Sequence, residues 1–170
     1  MDNTEKKFKP IDPFDPEIYT IDTLEDEIRA DQNCKVLLKL YHQYLLENMQ
    51  VSPLDAGSMA SGADYYLRDY MIDNRRTNIF NISPELIHSF AGNWYIINTL
   101  NPNMTELESI LLGVSNFYRF CAAKKLIPPA IVEKVNLACS RPDYYQQRIE
   151  SFNDLSGDGF SAWNSSCPLQ

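Results

Sequence analysis

Glycine is scarce in this chain, with six residues among 170. Gly-rich turns between short strands are therefore missing, which argues against a β-sandwich or a β-barrel. Long apolar runs are missing too, so we expect no transmembrane helix. The N-terminus, Met1-Asp2-Asn3-Thr4-Glu5-Lys6, lacks the apolar stretch of a secretory signal. We therefore expect a reducing, cytoplasmic setting.

Residue types that usually carry metal or acid–base chemistry are few and poorly spaced. The four cysteines contain no C-x-x-C pair, which argues against a zinc site. His42 and His88 have no acidic or second histidine partner at ligand spacing. No G-x-S-x-G elbow, Walker loop or G-x-G-x-x-G turn occurs. We therefore expect a protein that is not an enzyme and that holds no metal and no cofactor.

Basic residues are outnumbered by acidic ones, and the acidity is unevenly distributed. The formal net charge is −8, and the acids are concentrated between Asp12 and Asp31. Because Lys and Arg supply most of the non-specific affinity for DNA, this composition disfavours bulk DNA binding. Two basic groups stand at predicted helix ends, where they also complement the helix dipole. They are Arg68, Arg75 and Arg76, and Arg119, Lys124 and Lys125.

The strongest helical pattern lies in residues 105–126. Its apolar residues recur at steps of three and four, so they share one helix face. They are Leu107, Ile110, Leu111, Val114, Phe117, Tyr118 and Cys121. A face this wide and aromatic is typical of a helix at the centre of a helical domain. Thr105, with Glu108 three residues later, predicts that this helix begins with a capping box.

Further helices are predicted from their first residues. Ser or Thr before Pro or an acid is a typical N-terminal signal. The predicted starts are Asp22-Thr23-Leu24-Glu25, Ser52-Pro53, Ser83-Pro84, Pro128-Pro129 and Pro142-Asp143. The helix after Ser52 is predicted to end at Arg75, with a break at Gly62 as the alternative. In the helix after Ser83, the predicted buried stripe is Leu86, Phe90, Trp94, Ile97 and Leu100.

Short connections between helical patterns predict an all-α protein, a single bundle of about six helices over residues 21–153. Residues 1–20 contain three prolines and are predicted to form an extended arm. A flexible leader is the favoured form of that arm, and a docked arm is the alternative. Residues 154–170 are rich in Ser, Gly and Asn and are expected to be loose.

Residues 52–140 carry a pattern of helices that is found in one known family. A Ser-capped helix ends in the aromatic run Tyr65-Tyr66-Leu67-Arg68-Asp69-Tyr70, and a second helix follows Ile82-Ser83-Pro84. A long third helix ends in Phe117-Tyr118-Arg119-Phe120-Cys121, before Pro128-Pro129. This order resembles the SAM-like core-binding domain of tyrosine recombinases and phage integrases. The resemblance implies a SAM-like helical core and, in the family, a DNA-binding role.

The chain departs from that family in its chemistry. The family's catalytic domain carries an H-x-x-R group, whereas His42 is followed at the third position by Leu45 and His88 by Ala91. Too few residues follow position 153 to form such a domain, so we expect no recombinase activity. Family core-binding domains grip DNA with basic faces, whereas residues 52–155 are close to neutral.

Three functions are carried forward as hypotheses. The first is a non-enzymatic adaptor that binds another protein through aromatic residues of the arm or through the acidic region 12–31, with Asp22, Glu25, Asp26 and Glu27 as its candidate residues. The second is DNA binding, which requires two helix ends to form one positive face. Its candidate residues are Arg75, Arg76, Arg119, Lys124 and Lys125. The third is a small-molecule pocket lined by Tyr and Trp.

Overall fold

The computed structural model describes residues 11–167, and within that range the regular structure is helical, without a strand. The helices are α1 (Leu24–Glu47), α2 (Pro53–Asp64), α3 (Pro84–Ser89), α4 (Tyr95–Asn98), α5 (Met104–Ala123), α6 (Pro129–Cys139), α7 (Pro142–Asn153) and α8 (Phe160–Ser165). Two π-helical segments, Tyr65–Asn74 and Phe90–Trp94, continue α2 and join α3 to α4. The prediction of an all-α bundle of about six helices is confirmed. Within the described range, no helix has both the length and the apolarity that crossing a bilayer requires.

Helix α5 forms the centre of the bundle, as its sequence predicts. All seven residues of the predicted apolar stripe are buried. The start of α5 differs from the prediction, because the N-cap is Asn103, whose side chain accepts a hydrogen bond from the backbone N–H of Glu106 at 2.9 Å. Thr105 lies inside the first turn and does not cap. Asn is as good an N-cap as Ser, so Asn103 can take this position two residues before Thr105.

The other predicted helix starts agree with the structure. Thr23 and Asp26 form a reciprocal capping box at the start of α1. Ser52 and Ser83 each accept a hydrogen bond from the backbone N–H three residues later. Helix α1 is one continuous rod of 24 residues. The helix after Ser52 stays helical through Gly62 and ends at Asn74, so the alternative break does not occur.

The second π-helical segment changes which residues are buried in the helix formed by α3, this segment and α4. The predicted stripe continues from Phe90 to Trp94, Ile97 and Leu100, but Ile97 and Leu100 are exposed. The buried residues are instead Tyr95 and Ile96. A π-helical turn holds more residues than an α-helical turn, so every residue after Phe90 is rotated around the axis.

The described part of the N-terminal arm is docked rather than flexible. Pro16–Tyr19 forms a 3₁₀ turn, capped by Asp15, and the Tyr19 ring is fully buried. The Tyr19 hydroxyl donates to the Pro13 carbonyl at 2.6 Å. Asn78 donates to the Pro16 carbonyl at 2.9 Å, which ties the arm to the rest of the fold. A proline at the first position of a short helix is compatible with helical backbone, which is why the turn forms. The first ten residues of the predicted arm lie outside the described range.

The tail is also docked as far as it is described, contrary to the expectation that residues 154–170 are loose. Helix α8 buries Trp163, and Cys167 is buried behind it. The Trp163 indole packs on Phe152 with ring centroids 5.0 Å apart. One aromatic side chain therefore anchors a segment whose other residues are mostly small and polar. Residues 168–170 lie outside the described range.

Two glycines allow α2 and α5 to pack backbone against backbone. A Cβ atom on Gly62 would lie 2.7 Å from Cα of Ile110, and a Cβ atom on Gly113 would lie 2.2 Å from the Met59 carbonyl oxygen. The Ser58 and Ser109 hydroxyls hydrogen bond beside this crossing at 2.9 Å. The absence of a side chain at both glycines therefore fixes the distance between the two helices.

Candidate functional site

Asp26, one of the four predicted protein-binding acids, has a structural role. Its carboxylate accepts hydrogen bonds from the backbone N–H groups of Asp22 and Thr23, at 3.1 and 2.9 Å. These donors hold the pKa of Asp26 at about 2. Asp26 also pairs with Arg29 at 2.8 Å. Its charge is therefore committed to the start of α1.

Glu27 is also paired, and its partner is one of the predicted DNA-binding residues. Its carboxylate lies 3.3 Å from the Arg76 guanidinium. The candidate acidic and basic sites thus meet and neutralise each other at this point. Arg68, which stands with Arg76 in the sequence, pairs with Asp31 and Asp64 at 2.7 and 3.2 Å.

Within residues 12–31, five carboxylates have no ion pair among the residues that the structure describes. They are Asp12, Asp15, Glu17, Asp22 and Glu25, which we call the N-terminal acidic surface. All five are exposed. Three belong to the arm and two to the start of α1, so their relative placement depends on the docked arm.

Arg29 joins the two parts of this surface. Its Nε donates to the Ile18 carbonyl at 3.1 Å, and its Nη2 donates to the Thr20 carbonyl at 3.2 Å. The same guanidinium pairs with Asp26 on α1. The arm is therefore held in a fixed position against α1 by a planar group with several donors.

Apolar side chains are exposed next to the free carboxylates. Leu24 is 63% exposed, and Ile28, one turn later on the same face of α1, is 50% exposed. Ile11, at the start of the described arm, is 60% exposed. Ile28 also lines a groove of about 250 Å³ between α1 and the first π-helical segment. Sequence periodicity does not single out these residues, because they lie outside the buried stripe of α1.

Three of the five predicted DNA-binding residues have free charges. Arg119, Lys124 and Lys125, at the end of α5, are exposed and have no ion pair among the residues described. The Lys124 ammonium lies 6.0 Å from the centre of the Phe120 ring, which is a contact within its own helix. Arg76 is paired with Glu27, and Arg75 is half-buried.

An open groove of about 700 Å³ lies between α2 and α5. Its lining includes three acids, Asp64, Asp69 and Glu106, and the ring of Tyr65. Burial, with Asp64 adding repulsion, raises the pKa of Asp69. The small-molecule hypothesis requires a pocket lined by both Tyr and Trp. Tyr65 lines this groove, whereas Trp94 is not among its lining residues and packs against the Tyr65 ring, with ring centroids 5.4 Å apart.

Buried polar atoms without partners concentrate at the π-helical segments. The Tyr66 hydroxyl is fully buried and makes no hydrogen bond, while the Tyr70 hydroxyl lies near Ser89 without ordinary hydrogen-bond geometry. Burial raises the pKa of Tyr66 well above its usual value. Oδ1 of Asn93 and Nη2 of Arg148 are likewise unpartnered. Irregular backbone at these segments leaves polar groups in the core that a regular helix would place elsewhere.

Arg148 and Trp163 are the functional candidates that sequence reasoning missed. Arg148 is 6% exposed, and its guanidinium lies 3.8 Å from the centre of the Trp163 ring. Two features of the sequence could have indicated them. Arg148 lies on the apolar side of α7, three residues after the buried Tyr145, and Trp163 is a tryptophan in a tail rich in Ser, Gly and Asn.

Within residues 11–167, no three His, Cys, Asp or Glu side chains lie close enough together to bind a metal ion. Comparisons with known protein families, with curated proteins and with solved structures find no match to this chain.

Proposed function

We propose that this protein is a helical interaction module that binds a basic partner protein through the N-terminal acidic surface and the apolar residues beside it. The observation that supports this most directly is the set of five exposed carboxylates without an ion pair. A helix dipole explains acids at the start of α1, namely Asp22 and Glu25. The dipole of α1 does not explain Asp12, Asp15 and Glu17, which belong to the arm, where Asp15 caps the 3₁₀ turn and Asp12 accepts a hydrogen bond from the backbone N–H of Phe14.

The five carboxylates of this surface carry charge of one sign, and a basic partner protein would supply the opposite charge. Arg29 and Asn78 fix the arm, so little conformational entropy would be lost when a partner orders the surface. Charge complementarity of this kind increases the association rate and sets orientation. Leu24 and Ile28 offer the apolar area that provides affinity once the charges have aligned the two proteins.

Charge reversal at three of the five acids tests the proposal. In the variant Glu17→Lys/Asp22→Lys/Glu25→Lys, no altered residue takes part in an ion pair described here. Affinity capture from the native host should lose basic proteins that the wild-type protein retains in low salt and releases in high salt. A second variant, Leu24→Ser/Ile28→Ser, should weaken the same interactions without changing their salt dependence.

The matched control is Glu108→Lys/Glu133→Lys/Asp143→Lys, which makes the same change in net charge on α5, α6 and α7. These three acids are exposed and form no ion pair among the residues described. This control should keep every partner of the wild type. Partners that survive reversal of the acidic surface, or that are lost equally from the control, would contradict the proposal.

DNA binding is the second candidate, and the free charges of Arg119, Lys124 and Lys125 favour it. It also follows from the resemblance to integrase core-binding domains, which stays a prediction. A gel shift at low salt with the wild-type protein, and with Arg119→Glu/Lys124→Glu/Lys125→Glu, tests it directly. DNA binding predicts a complex that the variant abolishes, whereas no complex with either protein would eliminate this function.

A further inference from the structure

Among residues 11–167, Arg148 is a buried cation without an anionic partner. Its side chain is 6% exposed, and no carboxylate among the residues described lies within ion-pair distance. Buried charges in proteins are usually paired, because the loss of water must be offset by an opposite charge or by strong hydrogen bonds. This chain has 23 acidic residues, so the lack of a partner here is not a matter of composition.

Helix α8 supplies most of what surrounds this guanidinium. The Trp163 ring stacks on it, and Nη1 donates to the Trp163 carbonyl at 2.9 Å and to the Ser166 hydroxyl at 2.6 Å. Among the residues described, the guanidinium makes one hydrogen bond to a group outside the α8 region, from Nε to the Gly92 carbonyl at 2.8 Å. If α8 moves away, the guanidinium keeps its Nε anchor and exposes the edge formed by Nη1 and Nη2.

With α8 in place, two buried polar atoms beneath it have no hydrogen-bond partner among the residues described. Nη2 of Arg148 and Oδ1 of Asn93 are buried and unpartnered, while Nδ2 of Asn93 donates to Oδ1 of Asn164 on α8 at 3.0 Å. Unsatisfied buried donors and acceptors destabilise the arrangement that contains them. Closure of α8 is therefore weaker than the number of its hydrogen bonds suggests.

The attachment of α8 also permits it to open. It is joined to α7 by a short loop that contains Gly157, whose φ of 59° lies in the left-handed region that glycine adopts freely. Trp163 is the only large residue that α8 buries, and Phe160 is 45% exposed. Short segments with one apolar anchor open at much lower free energy than the core.

We propose that α8 is a latch over a carboxylate-binding site formed by Arg148 and Asn93. A carboxylate matches the Nη1–Nη2 edge in a bidentate geometry and supplies the anion that this buried cation lacks. Nδ2 of Asn93, released from Asn164, is a further donor beside it. The ligand class is a carboxylate, from an acidic segment of a partner protein or from a small free acid. This site lies apart from the N-terminal acidic surface and does not depend on it.

Tryptophan fluorescence can report on the latch. In a Trp94→Phe background, Trp163 is the sole tryptophan. The peptide acetyl-Glu-Glu-Glu-amide should give a saturable red shift of its emission, as the indole leaves Arg148 and enters water. Succinate, tested in parallel, distinguishes a small acid from a peptide as the source of the carboxylate. The peptide acetyl-Lys-Lys-Lys-amide should give no shift.

Variants separate a latch from a merely structural contact. Trp163→Ala removes the anchor, so calorimetry should show binding of the acidic peptide about tenfold tighter or more, because the closed state no longer competes. Trp163→Ala/Arg148→Gln should lose that gain. Arg141→Gln is the matched control, since Arg141 is an exposed arginine at the start of α7 that stacks on Tyr144 at 4.8 Å. It should bind like the wild type.

Two results would overturn the proposal. One is a Trp163→Ala protein that binds the acidic peptide no more tightly than the wild type. The other is peptide binding that persists unchanged when Arg148 is replaced. If the Arg148→Gln variants do not fold, hydrogen exchange of the wild-type protein decides instead. The amides of Trp163 and Ser166 should then exchange faster than those in the middle of α5, and equal protection would refute an opening latch.

Discussion

Replacing Gly113 by alanine adds one methyl group where α5 meets α2. The new Cβ atom would lie 2.2 Å from the Met59 carbonyl oxygen and 3.0 Å from its carbonyl carbon, both backbone atoms. A change of side-chain rotamer cannot relieve such a contact. The helices must separate by about 1 Å or the backbone must distort, so the surrounding core loses contacts.

The expected destabilisation follows from two opposing effects. Overpacking a well-packed core costs about 1–3 kcal/mol, and contact with backbone belongs at the upper end of that range. Alanine favours helix over glycine by about 1 kcal/mol, which offsets part of the cost. We expect Gly113→Ala to lower the free energy of unfolding by about 2 kcal/mol, and Tm by about 4–8 °C for a chain of this size.

Gly57 provides the matched control, because it lies in α2 and a Cβ atom there would meet nothing within 4 Å. Gly57→Ala should therefore stabilise the protein by about 0.5–1 kcal/mol through helix propensity alone. Urea unfolding followed by far-UV circular dichroism measures both variants. If Gly113→Ala is as stable as Gly57→Ala, the backbone contact between α2 and α5 does not exist in solution.

Three further predictions concern hydrogen bonds. Tyr41→Phe removes a buried hydroxyl that donates to the Gly113 carbonyl at 2.9 Å, so the free energy of unfolding, measured in urea, should fall by about 1 kcal/mol. Tyr66→Phe removes a buried hydroxyl without a hydrogen-bond partner, so the same free energy should be unchanged or higher. In the same assay, Asn103→Ala should lower the free energy of unfolding by about 1 kcal/mol, because it removes the N-cap of α5, whereas Thr105→Ala should not lower it. A loss of stability in Thr105→Ala but not in Asn103→Ala would show instead that Thr105 is the cap. The pKa of Asp26 is about 2 in the folded protein and near 3.8 in the unfolded chain. Its ionised carboxylate therefore stabilises the fold fully at pH values above 3.8, and this contribution is lost as the pH falls towards 2. The stability difference between wild type and Asp26→Ala, measured by urea unfolding at a series of pH values, should therefore shrink from pH 4 to pH 2, and a constant difference would contradict this.

Most of the fold was predictable because its signals are local. The stripe of α5 and the caps at Thr23, Ser52 and Ser83 depend on residues within one or two turns of each other, so the sequence contains the whole interaction. The docked arm was not predictable in this way. Tyr19 and Phe14 are ordinary residues in a proline-rich segment until a surface is present to bury them.

The candidate sites depended on tertiary structure throughout. The sequence alone suggests that Glu27 is a free acid, whereas in the structure it pairs with Arg76, which is 49 positions away. From the sequence alone, Gly62 is a residue that weakens its helix, yet in the structure its missing side chain lets the backbone of Ile110 pack against it.

By itself, then, the sequence determined the helices, most of their ends and the buried face of α5, because periodicity and capping act over a few residues. The tertiary structure alone decided which carboxylates stay free, where two helices touch through glycine, and that a polar tail returns to cover Arg148. Those outcomes follow from packing and charge pairing between segments that are distant in the chain, and no local pattern records which partner a side chain will meet.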